Sequence, residues 1–260
     1  MKIFGIMGII NCTPDSFYAQ SQSHHLEKAI ARALQMEKEG AAFIDVGGES
    51  TRPGATLVSE EEELERVLPL MIALKKILRI PLSIDTRKAK VAHEAVLKGA
   101  SLINDVSGLS YDSSMASLVT KLGVKVIIMH ARGNPETMDA LASYDDVARE
   151  VASELLKKVS LALKAGITKE QIILDPGFGF AKNLSHNWEL LSHLDELCKL
   201  GFPLLVGLSR KRFLGGATPE ERLIPSLLAA FVALQKGASL IRTHDVAPSV
   251  ALLDFSRHFV

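Results

Sequence analysis

Short apolar runs and polar clusters alternate along the chain, and a stretch with helical patterning follows most of the clusters. Most of the apolar runs are continuous, which is typical of strands buried on both faces of a parallel sheet. The predicted strands are Ile3–Ile10, Ala42–Val46, Pro81–Asp85, Ser101–Asp105, Val124–His130, Gln171–Asp175, Pro203–Leu208 and Ser239–Thr243. Strands that alternate with helices in this way predict one α/β domain over residues 1–260, a (β/α)8 TIM barrel with its active site at the C-terminal ends of the strands.

Capping signals mark the start of two predicted helices. Ser59–Arg79 has apolar residues recurring on one face, and Ser59 and Glu62 have the spacing of a capping box at its start. Thr218 and Glu221 have the same spacing further along the chain. This second pair predicts another helix start after the seventh strand.

The composition narrows the class of protein without indicating a macromolecular partner. The 30 acidic residues balance the 30 basic residues, so no overall field attracts nucleic acid or an anionic membrane. Cys12 and Cys198 are far apart in the sequence, which favours a reduced intracellular protein over a disulfide or a metal site. The apolar start is too short for a signal peptide, and no stretch approaches a transmembrane span, so we expect a cytoplasmic protein.

Polar residues follow the first two predicted strands. Asn11 and Asp15 form either an Asx or proline turn, or a site for Mg²⁺ held mainly by a phosphate substrate. The second strand ends in the cluster Asp45–Gly54, whose glycines let backbone amides approach a ligand closely. Arg52 in this cluster offers a planar fork for a carboxylate or a phosphate. A structural loop would rarely combine these residue types, so we expect a binding loop.

Three further strand ends carry side chains with hydrogen-bond acceptors. Asp85 ends the third strand, Asn104 lies at the end of the fourth, and Asp175 ends the sixth. Asp85 taken alone could be only a helix cap. Placed together at one barrel mouth, the three can surround a flat heterocycle that has ring N–H and amino donors, and the asparagine adds a donor of its own. This set favours a nitrogen heterocycle over a sugar.

The remaining strand ends are basic. His130 follows the fifth strand, where a single histidine is more often a satisfied core residue than a catalyst, and no zinc-ligand spacing accompanies it. Ser209–Arg212 follows the seventh strand, and Arg242 and His244 follow the eighth. A basic run is usually a solvated face. Because loops seven and eight are the habitual anion site of this barrel, we expect the last two residues to bind a diphosphate.

Eight segments in a fixed order resemble one known family. They are IMGIINCTPDSF at 6–17, DVGGESTRPG at 45–54, SIDT at 83–86, INDVSG at 103–108, MHARG at 129–133, DPGFGF at 175–180, SRKRF at 209–213 and RTHDV at 242–246. These resemble the signature segments of the dihydropteroate synthase family and span the chain from end to end. The resemblance implies an enzyme of folate biosynthesis that joins 4-aminobenzoate to 6-hydroxymethyl-7,8-dihydropterin diphosphate and releases diphosphate.

The resemblance also implies site residues, a metal ion and an assembly. The residues that would hold the pterin are Asp85, Asn104, Asp175 and Lys211. Those that would bind the diphosphate are Arg242, His244 and, through Mg²⁺, Asn11. Those that would line the aminobenzoate side are Thr51, Arg52, Pro53, Phe180 and Ser209. The implied catalytic residues are Asp85, Asp175, Lys211 and Arg242, and the implied assembly is a homodimer.

The first loop departs from the family pattern. After Asp15-Ser16-Phe17 the family usually continues Ser-Asp-Gly-Gly, whereas this chain has Tyr18-Ala19-Gln20-Ser21. That loop is expected to close over the reacting centre, so its closure bears on turnover. The altered loop motivates one alternative to the active synthase, a paralogue that binds pterin diphosphate with little or no catalysis. A second alternative is a pterin-dependent methyltransferase module of the same barrel class. A methyl donor needs no diphosphate site, which counts against the second.

Overall fold

A computed structural model describes residues 5–12, 22–50, 57–134 and 137–259. The strands of this part of the chain are β1 Gly5–Asn11, β2 Phe43–Gly47, β3 Leu82–Asp85, β4 Ala100–Asp105, β5 Lys125–Met129, β6 Ile172–Asp175, β7 Leu205–Val206 and β8 Leu240–Thr243. All neighbours are parallel, in the order β6-β5-β4-β3-β2-β1-β8-β7. A bridge between Leu174 and Leu204 brings β6 beside β7, so the sheet is a nearly closed barrel and the predicted fold is confirmed.

Helices lie between the strands and cover the outside of the barrel. The α-helices of the described residues are α1 Gln22–Lys38, α2 Glu60–Ile77, α3 Ala89–Leu97, α4 Met115–Leu122, α5 Val147–Lys164, α6 Leu184–Ser192, α7 Leu194–Cys198, α8 Leu223–Gln235 and α9 Val246–Ser256. Short 3-10 turns lie at Met138–Leu141, Lys169–Gln171, Arg212–Leu214 and Arg257–Phe259. Within these ranges no helix is both long and apolar enough to cross a bilayer.

Both predicted capping pairs form their hydrogen bond, but only one of them begins an α-helix. Ser59 caps α2, because its side-chain oxygen accepts the amide hydrogen of Glu62 at 3.1 Å. The second pair forms its capping contact, since Thr218 Oγ1 accepts the amide hydrogen of Glu221 at 3.3 Å, but the pair lies in a turn and α8 begins only at Leu223. The guanidinium of Arg222 donates to backbone carbonyls of residues 215–217 and so anchors the turn that precedes α8.

Strand side chains alternate between the barrel interior and the helix layer. The interior contains a small apolar cluster made of Met7, Leu102, Ile127, Ile173, Leu205 and Leu240, with Phe43 packed against it. The residues two positions after four of these are polar: Asp45, Asn104, Asp175 and Arg242. Because a strand repeats every two residues, they lie on the same inner face, one layer nearer the C-terminal mouth.

Candidate active site

Arg242 connects three strand ends at the mouth of the barrel. Its Nε donates to Asp45 Oδ2 at 2.7 Å, and its second guanidinium nitrogen donates to Asp85 Oδ2 at 2.7 Å. Asn104 donates its amide hydrogen to the same Asp45 oxygen at 2.9 Å. The structure therefore brings Asp85 and Asn104, predicted for the heterocycle, into one group with Arg242, which was predicted for the anion side of the same mouth.

Asp45 is a member of this group that the sequence analysis did not single out. It is fully buried, and its other carboxylate oxygen, Oδ1, has no hydrogen-bond partner among the described residues. An oxygen of this kind can accept a hydrogen bond from a ligand. A signal was present in the sequence, because an aspartate inside an apolar strand is rarely buried without a charged partner.

The carboxylic acids of the site lie in a dry environment. Burial raises the pKa of Asp85; the Arg242 guanidinium opposes that rise, and the Asp45 carboxylate adds to it. Burial also raises the pKa of Asp175, against the amide hydrogen of Gly177 and the charges of Lys211 and Arg242. Removal from water strengthens every hydrogen bond that these groups make to a bound molecule.

The segments that follow β6 and β7 bring Asp175, Phe180 and Lys211 close together. Asp175 Oδ1 accepts the amide hydrogen of Gly177 at 2.7 Å. The Lys211 ammonium donates to the carbonyl of Phe178 and lies 4.7 Å from the centroid of the Phe180 ring. Burial lowers the pKa of Lys211 to about 8, while the Asp175 carboxylate acts in the opposite direction. The site thus combines an acceptor, a cation and an aromatic face.

Ser209 and His244 are also brought together, on the β7–β8 side of the mouth. The Ser209 hydroxyl lies 3.0 Å from His244 Nδ1 and accepts the backbone amide hydrogen of His244 at 3.2 Å. The adjacent Arg210 instead forms a two-point ion pair with Asp245, at 3.0 and 2.8 Å. Arg210 therefore holds loops seven and eight together.

The predicted metal ligand lies at the end of β1. Asn11 is exposed there and is paired in register with Gly47 at the end of β2. The described residues contain no group of three or more His, Cys, Asp or Glu side chains that could hold a metal. A single amide oxygen nevertheless fits Mg²⁺, which commonly takes one or two protein ligands and completes its shell with substrate phosphates and water.

Some of the predicted site residues cannot be placed. Thr51, Arg52 and Pro53 of the aminobenzoate side lie outside the described residues, as do Asp15 and Ala19 of the first loop.

The base of the second loop is nevertheless visible through Glu49. Its carboxylate accepts hydrogen bonds from Val58 N, from the Arg87 guanidinium and from the Lys88 ammonium, at 3.1–3.2 Å. Burial acts to raise the pKa of Glu49, but the hydrogen bonds and charges of these neighbours have the larger combined effect, so the pKa is lowered. Because Val58 N comes from the far side of loop 50–57, Glu49 ties the two ends of that loop together.

His130 is a core residue rather than part of the mouth. It is fully buried, with Nε2 lying 3.0 Å from Glu154 and Nδ1 lying 2.9 Å from the Lys182 ammonium. Burial and the Lys182 charge lower the pKa of His130 to about 4, against the effect of Glu154. The structure therefore supports the reading of this histidine as a satisfied core residue. Neither Lys182 nor Glu154 was singled out from the sequence.

Comparison with known proteins agrees with this geometry. The profile of the pterin binding enzyme family matches residues 7–244. The dihydropteroate synthase of Haemophilus influenzae is 45% identical over 251 residues, which cover 95% of this chain and 91% of that protein.

Two solved structures from Xanthomonas albilineans are also similar, and each covers 99% of this chain. A dihydropteroate synthase with 4-aminobenzoic acid is 43% identical, with a TM-score of 0.92 and 93% of that chain covered. A dihydropteroate synthase in complex with 7,8-dihydropteroate is 40% identical, with a TM-score of 0.88 and 94% covered. The chain therefore belongs to the pterin binding enzyme family, and within it to the dihydropteroate synthases.

Proposed function

We propose that the chain joins 6-hydroxymethyl-7,8-dihydropterin diphosphate to 4-aminobenzoate, giving 7,8-dihydropteroate and diphosphate. The observation that carries this proposal is the group Asp85, Asn104 and Asp175 on one inner face, beside Arg242 and Lys211. Groups suited to the edge of a pterin ring, Lys211 among them, thus lie next to Arg242, a cation suited to a leaving diphosphate. The relatives that carry 4-aminobenzoic acid or 7,8-dihydropteroate support the same two partners.

The pterin side of the reaction uses carboxylates that are largely shielded from water. We propose that Asp85, Asn104 and Asp175 accept and donate hydrogen bonds at the edge of the ring, and that Lys211 donates to it. When the C–O bond to diphosphate breaks, positive charge spreads into the pterin. The buried aspartates stabilise that charge electrostatically, because they are already oriented before the reaction begins.

The diphosphate leaving group requires positive charge next to the pterin side of the site. We propose that Arg242 and His244 bind the diphosphate, and that Asn11 holds Mg²⁺ against it. When bound, Mg²⁺ would neutralise charge on the departing oxygens. The amine of 4-aminobenzoate then forms the C–N bond and loses a proton. An arylamine is already nucleophilic, so the enzyme needs no nucleophile of its own.

The aminobenzoate side is proposed for Phe180 and Ser209, with Thr51, Arg52 and Pro53 of the second loop. The Phe180 ring lies against Lys211, and Ser209 lies two positions before Lys211 in the chain, so the aminobenzoate side adjoins the pterin side at this lysine. The planar guanidinium of Arg52 would suit the carboxylate of the substrate.

The decisive experiment measures diphosphate release from the pterin substrate. We expect release to depend on both 4-aminobenzoate and Mg²⁺, with 7,8-dihydropteroate formed in equal amount. Omission of each component in turn is the control. Tight binding of the pterin diphosphate without turnover would contradict the proposal and would identify a non-catalytic binding protein.

We further propose that the chain forms a homodimer through an apolar surface on its last two α-helices. This α8–α9 face consists of Ile224, Leu228 and Val232 on one stripe of α8, with Phe255 of α9 and Phe259 of the 3-10 turn that follows α9; all five are exposed. The two phenylalanines and Phe231 pack as one aromatic group. A contiguous exposed apolar patch of this kind commonly marks a protein interface.

A reducing, cytoplasmic setting would suit the two cysteines, which are both free.

A further inference from the structure

Lys182 is a buried lysine immediately below the aminobenzoate side of the mouth. It ends loop 176–182, which follows β6, and only 8% of it is exposed. Its ammonium lies 2.9 Å from His130 Nδ1, 3.0 Å from the carbonyl oxygen of Gly177 and 3.1 Å from that of Phe180. The substrate chemistry proposed above gives this group no role.

The partners of His130 determine which of its ring nitrogens carries hydrogen. The Glu154 carboxylate also receives hydrogen bonds from Arg132 and is ionised, since the His130 and Arg132 hydrogen bonds lower its pKa to about 2. His130 Nε2 must therefore carry the hydrogen toward Glu154, which leaves Nδ1 as an acceptor in the neutral ring. A lysine ammonium has three N–H groups and here faces three acceptors. Burial lowers the pKa of Lys182 well below its ordinary value, while the Asp175 charge acts in the opposite direction. The Gly177 carbonyl also accepts the amide hydrogen of Phe180 at 3.1 Å, so the position of the lysine rests on its three short contacts rather than on its charge.

Two of the three acceptors are backbone carbonyls of loop 176–182, and the backbone conformation of that loop directs them toward the lysine. Gly177, Gly179 and Ala181 have φ values of +67°, +74° and +48°, so every second residue is left-handed. This path turns the carbonyls of Gly177 and Phe180 toward the same ammonium. The loop is also fixed at Asp175, whose carbonyl oxygen accepts the amide hydrogen of His130 at 2.9 Å.

We propose that Lys182, oriented by His130 and Glu154, is a positioning residue that sets the place of Phe180 and, through Gly177, of Asp175. This proposal rests on the proposed function for the identity of the substrates. The ammonium does not reach them; it acts by holding the two carbonyls, and a barrel site loses much of its activity when a substrate-contacting group moves by about 1 Å.

The test compares Lys182→Met with Lys158→Met in the full chain. Lys158 is a matched control, because it also donates to two barrel carbonyls, of Ser107 at 2.7 Å and Met129 at 3.2 Å, but not to loop 176–182. For Lys182→Met we expect KM for 4-aminobenzoate to rise at least about tenfold and kcat/KM to fall about 100-fold. Lys158→Met should stay within about threefold of the parent chain, since it leaves that loop intact.

A purely structural role would lower the yield or melting temperature of folded Lys182→Met without changing KM per folded enzyme. Folded Lys182→Met with the KM and kcat/KM of Lys158→Met would overturn the proposal.

A second measurement needs neither turnover nor a folded lysine variant. In the parent chain labelled with ¹⁵N-histidine, the ring signals of His130 should show hydrogen on Nε2 and none on Nδ1. The His130→Asn variant assigns these signals by their loss. Hydrogen on Nδ1 of a neutral ring would sink the proposal, because that atom could not then accept from Lys182. If the parent chain shows no synthase turnover, the proposed function fails. The histidine spectrum still tests whether His130 accepts a hydrogen bond from Lys182.

Discussion

At the scale of single residues, Arg242 has a structural role in addition to the proposed binding of diphosphate. It lies between the Asp45 and Asp85 carboxylates, and Asp45 is completely shielded from water. A buried carboxylate without a cation is costly, so the arginine stabilises the barrel as well as the ligand. An anion that binds here must approach a guanidinium that already bonds two acids.

This double role predicts the effect of Arg242→Ala on stability. Removal of the guanidinium leaves two neighbouring acids without their cation, so the free energy of unfolding should fall by about 3–5 kcal/mol. Arg242→Lys keeps the charge but cannot bond both carboxylates in a fork, so its loss should be smaller. Urea unfolding at pH 7 measures both. Equal stability of Arg242→Ala and the parent chain would show that the pair is not a stabilising contact.

His130 predicts a pH dependence whose sign is fixed by its lowered pKa. The ordinary histidine value is about 6.5 in the unfolded chain, whereas the pKa of His130 in the fold is about 4. Between these values the unfolded state binds the extra proton, so the contribution of His130 to stability falls as the pH drops from 6.5 to 4. The full loss is about 3 kcal/mol.

The control for this prediction is His130→Asn. Asp85 has a raised pKa and therefore shifts stability in the opposite direction as the pH falls, which is why the parent chain alone is uninformative. The difference in unfolding free energy between parent and variant should narrow steadily from pH 7 to pH 4. A constant difference over this range would contradict the shifted pKa.

At the scale of secondary structure, the positions of all eight strands could be predicted from apolar runs alone. The largest difference in length is at β7, where only Leu205–Val206 of the predicted Pro203–Leu208 pair as a strand. Its neighbour β6 contacts it at one bridge, so a long ladder does not form there. In α2 the periodic pattern could not predict that Glu63 is buried, because the reason is its ion pair with Lys88 from another element.

Loop 176–182 contains a position where the sequence and the backbone disagree. Ala181 has φ +48°, a conformation that costs a non-glycine residue about 1–2 kcal/mol. Ala181→Gly should therefore raise the stability by up to about 1 kcal/mol, after glycine's greater freedom in the unfolded chain is subtracted. Gly177→Ala should do the opposite by a larger amount, since its Cβ would overlap the carbonyl oxygen of His130.

Thermal unfolding of the two variants beside the parent chain checks the pair of signs. A shift of about 1 kcal/mol moves the melting temperature of a chain of this size by about 2–4 °C. A lower melting temperature for Ala181→Gly would mean that the alanine is not strained.

At the scale of the whole molecule, the α8–α9 face predicts the oligomeric state. Leu228 is 61% exposed at the centre of the α8 stripe, so Leu228→Lys would place a charge in the proposed dimer interface. We expect sedimentation velocity to show a dimer for the parent chain and a monomer for this variant. Leu161→Lys is the matched control, because Leu161 is 65% exposed on α5, away from that face. A parent chain that sediments as a monomer would contradict the proposal.

The convergence of the site could be predicted because barrel geometry brings the C-terminal strand ends together. This is why Asp85, Asn104, Asp175, Lys211 and Arg242 meet although they are distant in the sequence. The supporting charges could not be predicted in the same way. Lys182 and Glu154 resemble solvated residues in the sequence, and only the folded chain shows that one imidazole lies between them.

The single bridge between β6 and β7 has a consequence for hydrogen exchange. Every other neighbouring pair of strands is matched at two or more positions, so the barrel wall is thinnest at this joint. Amides at this joint should therefore be the first of the barrel wall to exchange with deuterated water. Asp175 ends β6 and Lys211 follows β7, so a pterin held by both would span the joint. A bound pterin would then connect the two weakly paired strands, so substrate binding should slow hydrogen exchange most at this joint.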